Sequence, residues 1–133
     1  ALTLGRVPII AGEREVHDET LKINQIPVAL AHYQALASDF GIQLKMPLRK
    51  VATGHQVEQI LGFSWEQGRE QMACTLSGNY RGADGQVDIT PGQVDNYLKQ
   101  FARPCVEAIL REYINGLIPE HVVIAKKIAS QNR

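Results

Sequence analysis

The chain has 133 residues, of which 44 % are hydrophobic and 21 % are charged, values typical of one soluble globular domain (residues 1–133) and not of a disordered tail. Fourteen Lys and Arg balance fourteen Asp and Glu, so the formal net charge is zero. This balance disfavours a dedicated nucleic-acid binder, which usually needs a basic excess, and it leaves no long-range repulsion to oppose self-association.

The cellular setting follows from what the sequence lacks. No apolar run approaches the roughly 20 residues of a membrane span, and the first residues lack the pattern of a secretory signal. Cys74 and Cys105 form no CxxC pair and are too few for a zinc site of four thiolates. We therefore predict a cytoplasmic protein with no membrane contact, no cofactor and no metal, in which both thiols are core residues.

The N-terminal part favours short strands. Residues 2–10 suit a strand at a sheet edge, because Pro8 cannot donate a ladder hydrogen bond. Residues 11–23 alternate loosely between apolar and polar side chains, which predicts a hairpin with the preceding segment.

From Pro27 the apolar period becomes helical. Ile26, Leu30, Tyr33 and Phe40 recur on one face, Pro27 suits a first helical position, and a glycine at 41 supplies a left-handed end. Residues 42–52 read as an extended connector, held out of a helix by a proline at 47.

Residues 53–73 resemble a helix, a tight turn and a second helix. Thr53 and Gln56 have the spacing of a capping box, after which Val57, Ile60 and Leu61 are expected to point inward. The next stretch, 65–80, suits either a helix or a strand, and the letters RGADGQ at 81–86 predict a turn before a returning strand.

The C-terminal third gives the strongest helical pattern. Thr90 and Gln93 form a second capping box, and apolar residues then recur every three or four positions as far as Leu117. Pro104 predicts a kink, or two helices meeting at position 103, and Glu107 is expected to pair with Arg111. A last helix follows from 119 to 131. The predicted fold class is α+β, dominated by helices, with small antiparallel β-hairpins or a small sheet and a C-terminal pair of amphipathic helices.

The leading functional hypothesis is a non-enzymatic assembly or adaptor subunit. Val122, Val123, Ile124 and Ile128 spread round more than one side of the last helix, so that helix needs neighbours on two sides. In a small domain the second neighbour is often another copy of the chain. The predicted partners are therefore a second copy, through this oligomer face, or another protein.

A DNA-binding regulator is the alternative, because residues 53–73 resemble a degenerate helix-turn-helix. Its contacts would come from Gln67, Arg69, Arg81, Lys45, Arg49 and Lys50. Two carboxylates on the reading face, Glu66 and Glu70, and a glycine at an expected inward position, 68, argue against it.

A small enzyme with an unmarked active site is the third hypothesis. Neither His17 with its acidic neighbours nor His55 with Glu58 has the spacing of a metal site, and no nucleophile or phosphate-binding motif is present. His32 is expected at a polar boundary of its helix. No catalytic residue is assigned, and a non-enzymatic protein is favoured.

Overall fold

The part of the chain that the structure describes is built mainly from helices, with one very small sheet. The structure, a computed structural model, describes residues 1–16, 22–64 and 89–132. Its elements in chain order are β1 (Ile9–Ile10), a 3-10 turn (Ile23–Gln25), α1 (Pro27–Asp39), β2 (Leu44–Lys45), α2 (Gly54–Leu61), α3 (Pro91–Tyr97), a π-helical turn (Leu98–Ala102), α4 (Arg103–Ile114) and α5 (His121–Gln131). The predicted dominance of helices is confirmed.

The sheet is parallel, so the prediction of an antiparallel hairpin in the N-terminal part is wrong. β1 pairs with β2, placing Ile9 opposite Leu44 and Ile10 opposite Lys45. The crossover between them contains α1, as a parallel pair requires a long connection. Strands of two residues are too short for local alternation to reveal their partner. The hairpin predicted at 81–86 and the ambiguous stretch 65–80 lie outside the described residues.

Helix α1 is the centre of the described core. It contacts β2, α3 and α4, and Leu30 on its inner face is fully buried. Ile26 and Phe40, at the two ends of the predicted apolar face, are buried as well. Gly41 adopts a φ of 67° after the helix, as its predicted left-handed role requires.

Both predicted capping boxes are present. Thr53 accepts a hydrogen bond from the backbone N–H of Gln56 at the start of α2, and Thr90 does the same for Gln93 at the start of α3. The inward face predicted for α2 is correct only for Val57. Ile60 is 60 % exposed and Leu61 is 41 % exposed.

The C-terminal third forms one continuous helical rod followed by a second helix. α3, the π-helical turn and α4 succeed one another without a break, so the irregularity predicted from Pro104 takes the form of a π turn just before it. α5 packs against α4 and the π turn. Cys105 is buried in the rod, as its place on the apolar face predicted.

The ion pair predicted between Glu107 and Arg111 is wrong. Glu107 accepts instead from Nε of Arg103, one turn earlier, at 2.7 Å, and the same guanidinium binds Asp39 at the end of α1. These two carboxylates raise the pKa of Arg103, with Glu107 the larger influence. Arg103 therefore links α4 to α1 and is the partner of Glu107 in place of Arg111.

Candidate functional site

The basic residues near position 49 make an internal contact. Glu15 accepts from Nε of Arg49 and from Nζ of Lys50, each at 2.5 Å, although its own side chain is only 10 % exposed. Arg49 also donates to Oε1 of Gln34 on α1 at 2.7 Å. The Lys50 ammonium, and then the Arg49 guanidinium, hold the pKa of Glu15 below its usual range, against the effect of burial. Two of the three cations predicted near position 49 to contact DNA thus hold the N-terminal segment on the connector.

A neighbouring arginine strengthens the same junction. Arg14 is 4 % exposed and donates through Nη2 to the carbonyl of Ala52 at 3.0 Å, immediately before α2. Lys45 is exposed on β2. The other predicted nucleic-acid contacts, Gln67, Arg69 and Arg81, lie outside the described residues. DNA binding by residues 53–73 therefore stays a prediction from the sequence.

A polar network joins α1 to α3. Nε2 of His32 lies 2.8 Å from Oδ1 of Asp95, and Nζ of Lys99 donates to the other carboxylate oxygen at 2.7 Å. Lys99 first, and His32 second, lower the pKa of Asp95. The His32 side chain is 10 % exposed, so it is more deeply placed than the polar boundary predicted for it. The arrangement can hold two helices together through charge-assisted hydrogen bonds.

The described residues outside this network show little metal-ligand chemistry. Nδ1 of His55 lies 3.5 Å from a carboxylate oxygen of Glu58 on the surface of α2. Across residues 1–16, 22–64 and 89–132, no three His, Cys, Asp or Glu side chains gather in a way that could hold a metal ion. His17 and Cys74 are not among the residues that the structure describes.

The most distinctive surface lies where α4 turns into α5. The end of α4 has the hydrogen-bond pattern of a Schellman motif: Gly116 has a φ of 77° and donates to Tyr113 O at 3.1 Å, while Leu117 N donates to Glu112 O at 3.0 Å. These bonds fix the direction in which the link leaves the helix. Ile118, the next residue, is 93 % exposed.

Tyr113 and Leu117 line the same cavity as Ile118, and Val122 and Val123 follow in the first turn of α5; we call these five exposed residues the apex. Its exposed members are Tyr113, Leu117, Ile118, Val122 and Val123, with exposures of 52, 58, 93, 66 and 56 %. Beside them is an open cavity of about 490 Å³. It is lined by Ile109, Leu110, Tyr113, Leu117, Ile118, Pro119 and His121. Projecting apolar side chains thus lie next to an apolar recess.

The predicted oligomer face divides between the surface and the interior. Val122 and Val123 belong to the apex, whereas Ile124 is buried at 8 % exposure and Ile128 is half-buried. Contact between α5 and the rod thus accounts for one of the two neighbours expected for the last helix. Sequence reasoning missed Ile118. A usable signal was present, because two large apolar residues in the short link between Gly116 and Pro119 have little chance of burial within one helix pair.

The chain was also compared with known protein families, solved structures and curated proteins. No protein-family model matches the chain, and no solved structure matches it. The uncharacterized protein MJ0009 of Methanocaldococcus jannaschii is 37 % identical over 120 residues, which cover 90 % of this chain. The chain spans 43 % of the length of that relative. Since that protein is itself uncharacterized, the likeness brings no activity to this chain.

A helix that spans a membrane must be both long and apolar. None of the helices among the described residues meets both requirements.

Proposed function

We propose that this chain is a non-enzymatic assembly or adaptor subunit that associates with a second copy of itself through the apex. The observation that carries the proposal is Ile118, which is 93 % exposed at a position fixed by the Schellman motif of α4. An exposed apolar surface on a well-defined helix end is typical of protein interfaces. The C-terminal helices are thus the part of the chain that makes the assembly contact.

The shape of the apex favours a symmetric pair. A two-fold interface brings the same patch of both copies together, so each patch must be complementary to itself. Here a projecting side chain, Ile118, lies beside the cavity of about 490 Å³ that it helps to line. Ile118 of each copy can therefore enter the recess of the other.

The chemistry of the apex suits this contact. Among the described residues that line the cavity, only Tyr113 and His121 have ionisable side chains, so closing the recess removes few charged groups from water. Full burial of one Ile or Leu side chain contributes about 1.5–3 kcal/mol. Several such side chains must act together, because association costs at least about 4 kcal/mol in lost translational and rotational freedom. We therefore expect association in the micromolar range.

Sedimentation velocity across the micromolar range of protein concentration tests the proposal. We expect the unaltered chain to form a dimer and Ile118→Ser to weaken dimerisation by at least about tenfold, which corresponds to about 1.4 kcal/mol. Ile10→Ser is the matched control, because Ile10 is also an isoleucine, is 74 % exposed and lies on β1, away from the apex. It should leave the dimer unchanged.

Two results would overturn the proposal. One is a strict monomer throughout the concentration range. In that case the apex would bind another part of a longer chain or a different protein, and not a second copy. The other is a dimer that survives both Ile118→Ser and Val123→Ser unchanged. Far-ultraviolet circular dichroism of each variant establishes that the helices are intact, since both side chains are mostly exposed.

A further inference from the structure

The arginines of the described residues fall into two groups. Arg49 and Arg103 have carboxylate partners, and Arg14 is buried and bonded to backbone carbonyls. Arg6 and Arg111 have no carboxylate partner within residues 1–16, 22–64 and 89–132. These two arginines line the same cavity.

That cavity has a volume of about 420 Å³ and lies between the N-terminal turn and the C-terminal ends of α1 and α4. It is lined by Arg6, Asp39, Phe40, Gly41, Arg111, Ile114 and Asn115. Phe40 positions both guanidinium groups. Its carbonyl accepts from Nε of Arg6 at 3.2 Å, and the Cζ atom of Arg111 lies 5.7 Å from the centre of its ring. The terminal amino groups of Arg6 form no hydrogen bond to any described residue.

The negative groups around this cavity are already occupied. Asp39 binds Arg103, and the last carbonyls of α1 accept from the backbone N–H groups of Phe40, Gly41 and Ile42. Each helix end contributes at most about half an elementary negative charge. The cavity therefore has an excess of positive charge, because two guanidinium groups lack carboxylate partners among the described residues. The partial negative charges of the helix ends offset part of that excess.

An apolar cleft adjoins the arginine cavity. It also measures about 420 Å³, shares Phe40 with the arginine cavity, and lies over α1 and the small sheet. Its lining is Ala1, Leu2, Thr3, Ile9, Tyr33, Leu36, Ala37, Phe40, Ile42, Leu44, Leu110 and Tyr113. A smaller recess of about 250 Å³ links the two, because its lining includes Arg6 and Ile114 from one side and Leu2, Thr3 and Tyr113 from the other.

We propose that these adjoining cavities bind a small amphiphilic organic acid. Its apolar chain or ring lies in the cleft over α1, and its carboxylate or phosphate lies between Arg6 and Arg111. The planar fork of a guanidinium group matches the oxygen pairs of both anions, which accounts for the two arginines at one mouth. The apolar lining provides most of the contact area, and the arginines determine the orientation. Leu110 and Tyr113 line both this cleft and the cavity of the apex, but the site uses neither Ile118 nor Val123, so different substitutions test the two proposals.

Isothermal titration calorimetry with three probes tests both halves of the proposed ligand. Octanoate has the apolar chain and the anionic head, octan-1-ol has the chain with an uncharged head, and acetate has the head alone. We expect octanoate to bind with one molecule per chain and at least tenfold more tightly than either other probe. Equal affinity for octan-1-ol would show that the site is a nonspecific apolar groove without an anion-binding part. The absence of octanoate binding would show that the proposed site does not exist.

Three substitutions test whether the anionic group of the ligand binds between Arg6 and Arg111. Arg6→Gly and Arg111→Gln should each weaken octanoate binding by about tenfold, while Lys45→Gln removes an exposed cation from β2 and should change nothing. Arg6 has a φ of 60°, a conformation that glycine adopts readily, so Arg6→Gly keeps the backbone turn. Unchanged octanoate affinity in the Arg6→Gly, Arg111→Gln double variant, with its thermal midpoint preserved, would overturn the assignment.

Discussion

The side-chain amide of Asn132 donates a hydrogen bond to the backbone carbonyl of Gln100, the acceptor that Pro104 cannot serve. In a regular α-helix the N–H of residue 104 would bond to that carbonyl, but proline has no N–H. The end of α5 therefore contacts the rod within its π turn, through a carbonyl that lies four residues before a proline. The π turn directly precedes Pro104, and the bond from Asn132 gives α5 a polar anchor on the rod at this point.

Replacing Asn132 tests this anchor. We expect Asn132→Ala to lower the free energy of unfolding by about 0.5–1 kcal/mol, the usual contribution of one hydrogen bond. In a Pro104→Ala background the loss should be smaller, because the backbone of the introduced alanine would supply the missing N–H. Urea denaturation of the four proteins in this double-mutant cycle gives the coupling between the two positions.

Gln131→Ala is the control for this cycle. Gln131 is the exposed neighbour of Asn132 and no described residue accepts a hydrogen bond from its side chain, so its loss should be near zero. Strict additivity of Asn132→Ala and Pro104→Ala would mean that the amide does not replace the proline's missing donor.

The contact between His32 and Asp95 predicts an acid-dependent loss of stability. The pKa of Asp95 in the folded chain is lowered from 3.8 by Lys99 and His32, so its carboxylate stabilises the fold above that value and ceases to do so as the pH falls below it. We expect Asp95→Asn to lower the thermal midpoint near neutral pH. As the pH falls through the range in which carboxylates become protonated, the thermal midpoint of this variant should decrease less than that of the unaltered chain. A comparison of thermal midpoints across this range measures the effect.

Asp39→Asn is the control for that pH dependence, since Asp39 also pairs with a cation but lies at the C-terminal end of α1, beyond His32. If the thermal midpoint of Asp95→Asn decreased at low pH as much as that of the unaltered chain, the Asp95 carboxylate would not be stabilised in the folded chain.

Glu15 and its cation partner Lys50 are expected to contribute unequally to the free energy of unfolding. Glu15→Gln should lower the free energy of unfolding by about 1–2 kcal/mol, because it weakens charge-assisted bonds to Arg49 and Lys50 around a side chain that is 10 % exposed. Lys50→Gln should cost less than about 0.5 kcal/mol, because the Lys50 side chain is 81 % exposed. Equal losses in urea denaturation at low salt would contradict this ranking.

Local signals in the sequence predicted the helices well. Thr53 and Thr90 mark helix starts, and the glycines at 41, 62 and 116 each have a φ between 67° and 77° where a helix ends. Both kinds of signal depend on a few neighbouring residues, so one sequence is enough to read them. The type and order of the described helices follow from them.

Contacts between distant residues could not be read in the same way. The parallel pairing of Ile9 with Leu44, the bond from His32 to Asp95 and the binding of Arg103 to Asp39 each join segments far apart in the chain. Arg103 shows the consequence for the candidate sites. It binds both Asp39 and Glu107, and Arg111 lines the cavity that contains Arg6.

The cap of α3 allows a local signal to be tested for a distant effect. The Thr90 hydroxyl accepts from Gln93 N at 3.2 Å, and the Gln93 side chain accepts from Thr90 N at 2.8 Å. Thr90→Ala should lower the free energy of unfolding by about 1 kcal/mol, whereas Thr90→Ser retains the hydroxyl and should restore most of that loss. Asp95 lies on α3 and contacts His32 on α1. Fraying of the first turn of α3 should therefore increase the exchange of backbone amide hydrogens of α1 near His32. Equal destabilisation by Ala and Ser would show that the threonine methyl group, and not the cap, is what the position requires.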